Sequence, residues 1–155
     1  MGIGDWGLGT GDSVDDGIAE PSTGYASSSR VRSFRDLDVW QDAIHLAEVV
    51  YHETKAFPPP ETYGLTSQLR RAAVSVASNI AEGWGHNSRK DYLRFLHIAR
   101  GSLFEVATQV EIAHRIGYLT LDASTRIEDV GTRCGKRLSR LIAALVRPQS
   151  PTPNP

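Results

Sequence analysis

Across residues 37–146, apolar side chains return every three or four positions in four successive runs, with short breakers between them. That period lines them along one side of a helix, so each run predicts an amphipathic helix with a buried face. The first, residues 37–55, aligns Trp40, Ala43, Ile44, Ala47, Val50 and Tyr51. Asp36 is its expected N-cap, with Asp38 in the first turn. The "FPPPE" that follows ends it, because proline has no amide hydrogen for the helical ladder. The second, residues 62–82, carries Leu65, Leu69, Ala72, Val76 and Ile80, and Gly83 suits a left-handed position just past its end. Ser88 and Asp91 have the spacing of a capping box and open the third. That helix runs to Ile116, about 28 residues and roughly 40 Å, with Tyr92, Leu96, Ala99, Leu103, Val106 and Val110 inward and Gly117 as its stop. The fourth, residues 122–146, aligns Ile127, Val130, Cys134, Leu138, Leu141 and Leu145. Strand signals are absent. Short connections between such helices predict an all-α fold, an antiparallel up-down-up-down four-helix bundle over residues 31–147.

The flanks read differently. Residues 1–30 are rich in Gly, Ser and Asp with no period, and residues 148–155 are rich in proline. Neither buries enough apolar surface to offset the entropy of ordering, so both are expected to be disordered. No basic stretch followed by an apolar one marks a secretory signal near the start, and no apolar run approaches the roughly 18 residues that cross a bilayer. No membrane partner is expected. Cys134 is the single cysteine, which excludes an intramolecular disulfide and a multi-thiolate zinc site and fits a reducing cytoplasm. The net charge of −1 hides an asymmetry: residues 1–30 sum to −4 and the remainder to +3.

Helix 2 also bears a polar row. Gln68, Arg71, Ser75, Asn79 and Glu82 fall within about 80° of each other at 100° per residue, directly beside the apolar stripe. Ala72, Ala73, Ser75, Ala77 and Ser78 leave room for a close neighbour, and Ala99, Gly101 and Ser102 answer from helix 3. A mid-helix glycine costs about 1 kcal/mol relative to alanine, so close approach is its expected compensation. Glu105 and Gln109 then become partners for Arg71, Gln68 or Asn79 in a structural network that fixes register, with a ligand-facing row as the alternative. Helix 3 has a second apolar face in Phe95, Ile98, Ile112 and Ile116, which predicts a homo-oligomer interface unless helices 1 and 4 wrap round to cover it.

Catalytic and metal patterns are incomplete. Glu111-x-x-His114 is half of a di-metal bundle signature, but its second copy is missing, and His45 with Glu48 stands in the reverse order. Phosphate-loop, Ser-x-x-Lys and His-Glu-x-x-His motifs are lacking, so no enzyme, metal or cofactor is expected. The best chemical signal is electrostatic. Arg126, Arg133, Lys136, Arg137 and Arg140 lie within about 100° of helix 4, read as opposite its apolar stripe, and Arg89, Lys90 and Arg94 extend the band. In one copy this is a solvated face; repeated by symmetry it becomes a polyanion-binding surface.

Four stretches resemble a known family: Leu37 to Trp40 (Leu-x-Val-Trp), Tyr63 to Ala72, Ser78 to Gly83 (Ser-Asn-Ile-Ala-Glu-Gly) and Ala99 to Glu105 (Ala-x-Gly-Ser-Leu-x-Glu). They are similar to the four-helix bundle proteins associated with intervening sequences of 23S rRNA genes, over about residues 34–120. The resemblance implies assembly into a pentameric ring and kinship with accessory proteins of diversity-generating retroelements, which bind RNA and a reverse transcriptase. It brings no catalytic site. The expectation is therefore a cytoplasmic, non-catalytic, oligomeric accessory protein that binds nucleic acid, RNA in particular. The alternative is a protein–protein scaffold for a reverse transcriptase or another polypeptide client.

Overall fold

Four helices account for most of residues 30–148, which are the residues that the computed structural model describes, and no strand occurs among them. They are α1 (Asp38–Glu53), α2 (Leu65–Trp84), α3 (Arg89–Arg115) and α4 (Leu121–Val146). The disorder expected for residues 1–30 and 148–155 falls, except at Arg30 and Pro148, outside the described residues. α1 packs on α2 and α4, α3 packs on the same two, and α2 lies closest to α3. Side-chain contacts fix the directions. Asp42 meets Arg133 and Arg137 while Glu53 meets Arg126, so α1 and α4 are antiparallel. Ser75 against Ser102 and Gly83 against Tyr92 make α2 and α3 antiparallel as well. The bundle is up-down-up-down.

The core follows the apolar periods. Leu69, Val76, Ile80, Leu96, Ala99, Val110, Cys134 and Leu138 have no solvent exposure, and Ile127 has almost none. Leu65 and Leu145 lie at the edge of the core, and α1 departs furthest from its expected stripe. Its buried residues are Val39, Asp42, Ala43, Leu46 and Val50, whereas Trp40, Ile44 and Ala47 sit at the edge and Tyr51 is exposed. The stripe is turned because Asp42 faces inward, a position that an apolar count leaves out.

Helix ends deviate where short 3-10 turns intervene. Asp36 does not cap α1; its carboxylate accepts from the Ser33 amide at 3.1 Å and the Arg32 amide at 2.9 Å, closing the capping box of the turn Phe34–Asp36. Leu37 stands at the N-cap of α1 without a side-chain bond. α2 begins at Leu65, later than expected, because Pro59–Tyr63 forms its own 3-10 turn. The Glu61 carboxylate then accepts from the Leu65 amide at 2.9 Å, and its other oxygen accepts from the Tyr118 hydroxyl at 3.1 Å. That bond ties the α1–α2 connection to the α3–α4 turn, and it holds the Tyr118 phenol above its ordinary pKa. Ser88 and Thr120 cap α3 and α4 through their hydroxyls.

Gly83 is not a left-handed terminator. It lies inside α2, where an added Cβ would stand 2.9 Å from Tyr92 Cδ2 and 3.0 Å from Phe95 Cβ. The glycine is needed for the approach of α3, and the one described residue with a positive φ is Gly117, at 85°. Gly101, expected at the α2–α3 contact, instead faces outward with nothing within 4 Å of its would-be Cβ. Gly83→Ala is therefore expected to lower stability by about 1–3 kcal/mol through overpacking, and Gly101→Ala in a single bundle to raise it by about 1 kcal/mol. Urea melts of both variants in a monomeric Ile112→Asp background, followed by circular dichroism, check the opposite signs.

Candidate nucleic-acid interface

α4 delivers its cations to two different places. Arg133 Nε donates to Asp42 Oδ1 at 2.9 Å, and Arg137 Nη1 donates to Asp42 Oδ2 at 2.7 Å. The Asp42 side chain is 7% exposed against 49% and 39% for the arginines, so a nearly buried carboxylate is held between two half-exposed guanidiniums. Arg126 donates to Glu53 at 2.8 Å, which holds the Glu53 carboxyl below its usual range. Three of the five cations expected on a solvated face thus brace α1. These three flank the apolar stripe on the α1 side instead of standing opposite it.

Lys136 and Arg140 point the other way. With Arg100 of α3 they border a groove of about 520 Å³ between α3 and α4, floored by apolar groups such as Leu103, Val106 and Ile127. None of these three cations forms an ion pair among the described residues. The same flank collects the start of α3. Arg89 donates to the Leu145 carbonyl and, at 2.6 Å, to the Arg147 carbonyl, which caps the end of α4, and Lys90 next to it in the chain is exposed. Arg94 lies 4.5 Å over the Phe95 ring and 3.8 Å from Asp91, so it is already engaged. Asp91 itself is held below its usual pKa, first by the Ser88 hydroxyl. The available cationic set is Lys90, Arg100, Lys136 and Arg140.

The polar row is corrected as well. Gln68, Arg71, Glu82 and Glu105 are exposed and do not form the internal network expected of them. Only the middle of the row is joined across the helices: Ser75 Oγ and Ser102 Oγ are 2.9 Å apart, and Asn79 Nδ2 donates to the Ser75 carbonyl at 2.8 Å and its hydroxyl at 2.9 Å. Gln109 Oε1 is buried with no hydrogen-bond partner among the described residues. Outside this seam Ile98, Ile112 and Ile116 stand 42–54% exposed beside Gly101, whereas Phe95 is 8% exposed, its ring stacked on His86 at 4.8 Å. Phe95 therefore belongs to the chain's own core and is withdrawn from the expected interface. Helix α2 turns the row outward because its inner face is already filled by Leu69, Ala73, Val76 and Ile80.

The residues weighed for chemistry have structural partners. Glu111 pairs with Arg115 at 2.5 Å, and His114 Nδ1 lies 3.2 Å from the Leu119 carbonyl. His45 and Glu48 form an exposed contact at 3.5 Å. Among the described residues no group of three His, Cys, Asp or Glu side chains is placed to hold a metal. Cys134 is buried against the Val39 carbonyl, and burial, reinforced by Asp42, pushes its thiol up to about 12. Sequence reasoning missed Arg100, Phe104, Gly131 and Gly135, which meet at the α3–α4 groove. Their signal was a glycine pair four apart on one helix and the Arg100, Leu103, Phe104, Ala107 spacing on the other.

Comparison with known proteins places this geometry in a family. The profile of the 23S rRNA-intervening sequence protein family matches residues 35–140, and the chain belongs to that family. A solved structure from Bacteroides thetaiotaomicron, described as a protein of unknown function from the S23 ribosomal protein family, shares the fold. It is 23% identical, with a TM-score of 0.61, over 67% of this chain and 97% of that one. No curated protein matches the chain. Among the described residues no helix is long and apolar enough to cross a membrane.

Two outcomes follow from these placements. Removing both arginines from a buried carboxylate by Arg133→Glu with Arg137→Glu costs about 1–3 kcal/mol, the loss of a buried pair discounted for the arginines' exposure, read as a lower melting temperature. Cys134 stays unmodified by a maleimide at about pH 8 in the native protein and reacts fully once denatured; equal rates in both states would show that α1 opens from α4.

Proposed function

We propose that this protein is a non-catalytic, oligomeric accessory protein of the cytoplasm that binds nucleic acid, structured RNA in particular, through cations repeated by ring symmetry. The observation that carries the reading is the direction of the family-pattern residues. Gln68, Arg71, Glu82, Gly101 and Glu105 point away from the chain's own core, next to the exposed Ile98, Ile112 and Ile116. Residues that add nothing to one bundle gain a purpose where two bundles meet. A second copy on this face covers the isoleucines, offers Gln109 Oε1 a donor, and gives the outward Gly101 a neighbour to admit. A five-membered ring is the assembly that the family resemblance implies.

Symmetry then supplies what one copy lacks. Lys90, Arg100, Lys136 and Arg140 are a modest set alone, but five copies present about twenty such charges, and polyanion affinity rises steeply with the number of phosphates neutralised. Aromatic platforms beside them are few, which favours contact with the phosphate backbone over base reading. The family's association with 23S rRNA intervening sequences points to RNA as the polyanion. A second reading, a scaffold for a polypeptide client such as the reverse transcriptase of a diversity-generating retroelement, is favoured by one observation: Phe104 is 65% exposed at the lip of an apolar groove.

Light scattering is expected to give the mass of an oligomer, and Gly101→Arg with Ile112→Asp to give a monomer of unchanged helicity. In gel-shift titrations RNA affinity falls at least tenfold, to about that degree or more, between about 50 and about 300 mM salt. Lys136→Glu with Arg140→Glu abolishes the shift while the oligomer persists. A monomeric native protein, or undiminished RNA binding by the double glutamate variant, removes the reading.

A further inference from the structure

The α3–α4 groove is apolar within and cationic at its border, and no described segment of the chain fills it. Its aromatic lip, Phe104, is 65% exposed, and α4 opposes it with Gly131 and Gly135. A Cβ at either glycine would meet only one leucine methyl at 3.9 Å, so ordinary packing inside the bundle does not require them. Glu128 is the one acid at a border that also bears Arg100, Lys136 and Arg140. An occupant that fits must therefore join apolar side chains to negative charge.

We infer that the occupant is the chain's own segment 1–29, which binds the groove in cis and covers Lys136 and Arg140. Three observations converge on it. The segment carries Asp5, Asp12, Asp15, Asp16 and Glu20 and no lysine or arginine, which is complementary to the border. Apolar residues alternate with those acids: Trp6 follows Asp5, Val14 precedes Asp15 and Asp16, and Ile18 comes two residues later. The chain is also long enough. The turn Phe34–Asp36 packs on α1 and α2, so reaching the groove from Arg30 means passing α1 and α4, two helices each roughly 10 Å wide, while the 12 residues between Ile18 and Arg30 span up to about 40 Å.

Tethering makes weak contacts sufficient. A linked segment acts at an effective concentration in the millimolar range, so a few surface ion pairs and one or two apolar side chains keep the groove occupied. Because Lys136 and Arg140 are shared with the proposed RNA surface, the segment becomes a built-in competitor that polyanions must displace. This regulatory consequence rests on the nucleic-acid reading; occupancy of the groove does not.

The test uses the full chain with Phe104→p-benzoylphenylalanine, irradiated without nucleic acid after light and isotope-heavy protein have been unfolded and refolded together so that subunits mix. Mass spectrometry of the digest is expected to find position 104 joined to residues 1–29 within the same chain. Asp12→Asn, Asp15→Asn and Asp16→Asn together lower that yield about tenfold, as the loss of three surface ion pairs would, with the melting temperature unchanged. A link to the helices of a second copy, a link running between light and heavy chains, no link to residues 1–29, or a yield indifferent to the three asparagines overturns the inference. RNA binding, measured separately, stands or falls on its own.

Discussion

Taking a carboxylate out of water costs several kcal/mol unless opposite charge and hydrogen bonds meet it there. Asp42 is in that position on the inner face of α1, and the answer comes from two arginines one helical turn apart on α4. The demand is geometric. Both oxygens are engaged only when α1 and α4 lie in one register, with Val39 against Cys134 and Glu53 against Arg126 further along. Apolar stripes tolerate sliding by a turn because leucine resembles leucine; a doubly held carboxylate does not. Closing the bundle on that side also decides where charge remains for the outside. Arg133 and Arg137 are committed to structure, and the cations left over face α3.

The opposite side of the bundle is arranged by size instead of charge. Gly83 lets α3 come close to α2, and Ser75 and Ser102 meet across the contact. Small side chains at this seam leave little room for the longer polar residues of α2, so they turn outward beside the isoleucines of α3. Two surfaces result: a mixed polar and apolar face over the α2–α3 seam, suited to another copy, and a cationic groove between α3 and α4. Their separation on the molecule means that the proposed assembly and the proposed polyanion binding would not compete for the same atoms.

The helix count, the order of the helices and nearly all of the core were legible from spacing alone. A stripe such as Leu96, Ala99, Leu103, Val106 and Val110 has one way to be buried on a helix, and all five are buried. α1 was misread because its inner face contains a charge. Counting apolar residues moved the stripe towards Trp40 and Tyr51 and away from Asp42, since no local pattern announces that an aspartate will find two arginines about 91 to 95 positions away. Phe95 and Gly101 failed in a related way. A helical wheel gives angles within one helix but not where the neighbouring helix ends, and the bend at Gly85 and His86 folds over Phe95 while leaving Gly101 open.

By itself, the sequence determined an all-helical bundle, its family, and the presence of more polar and cationic residues than a bundle requires. Periodicity carries that information because burial on one side is a local property of a helix. Which of those residues bind each other was settled only in three dimensions. An ion pair, a close approach or a groove is made by side chains from different helices, and their meeting depends on the register that packing imposes.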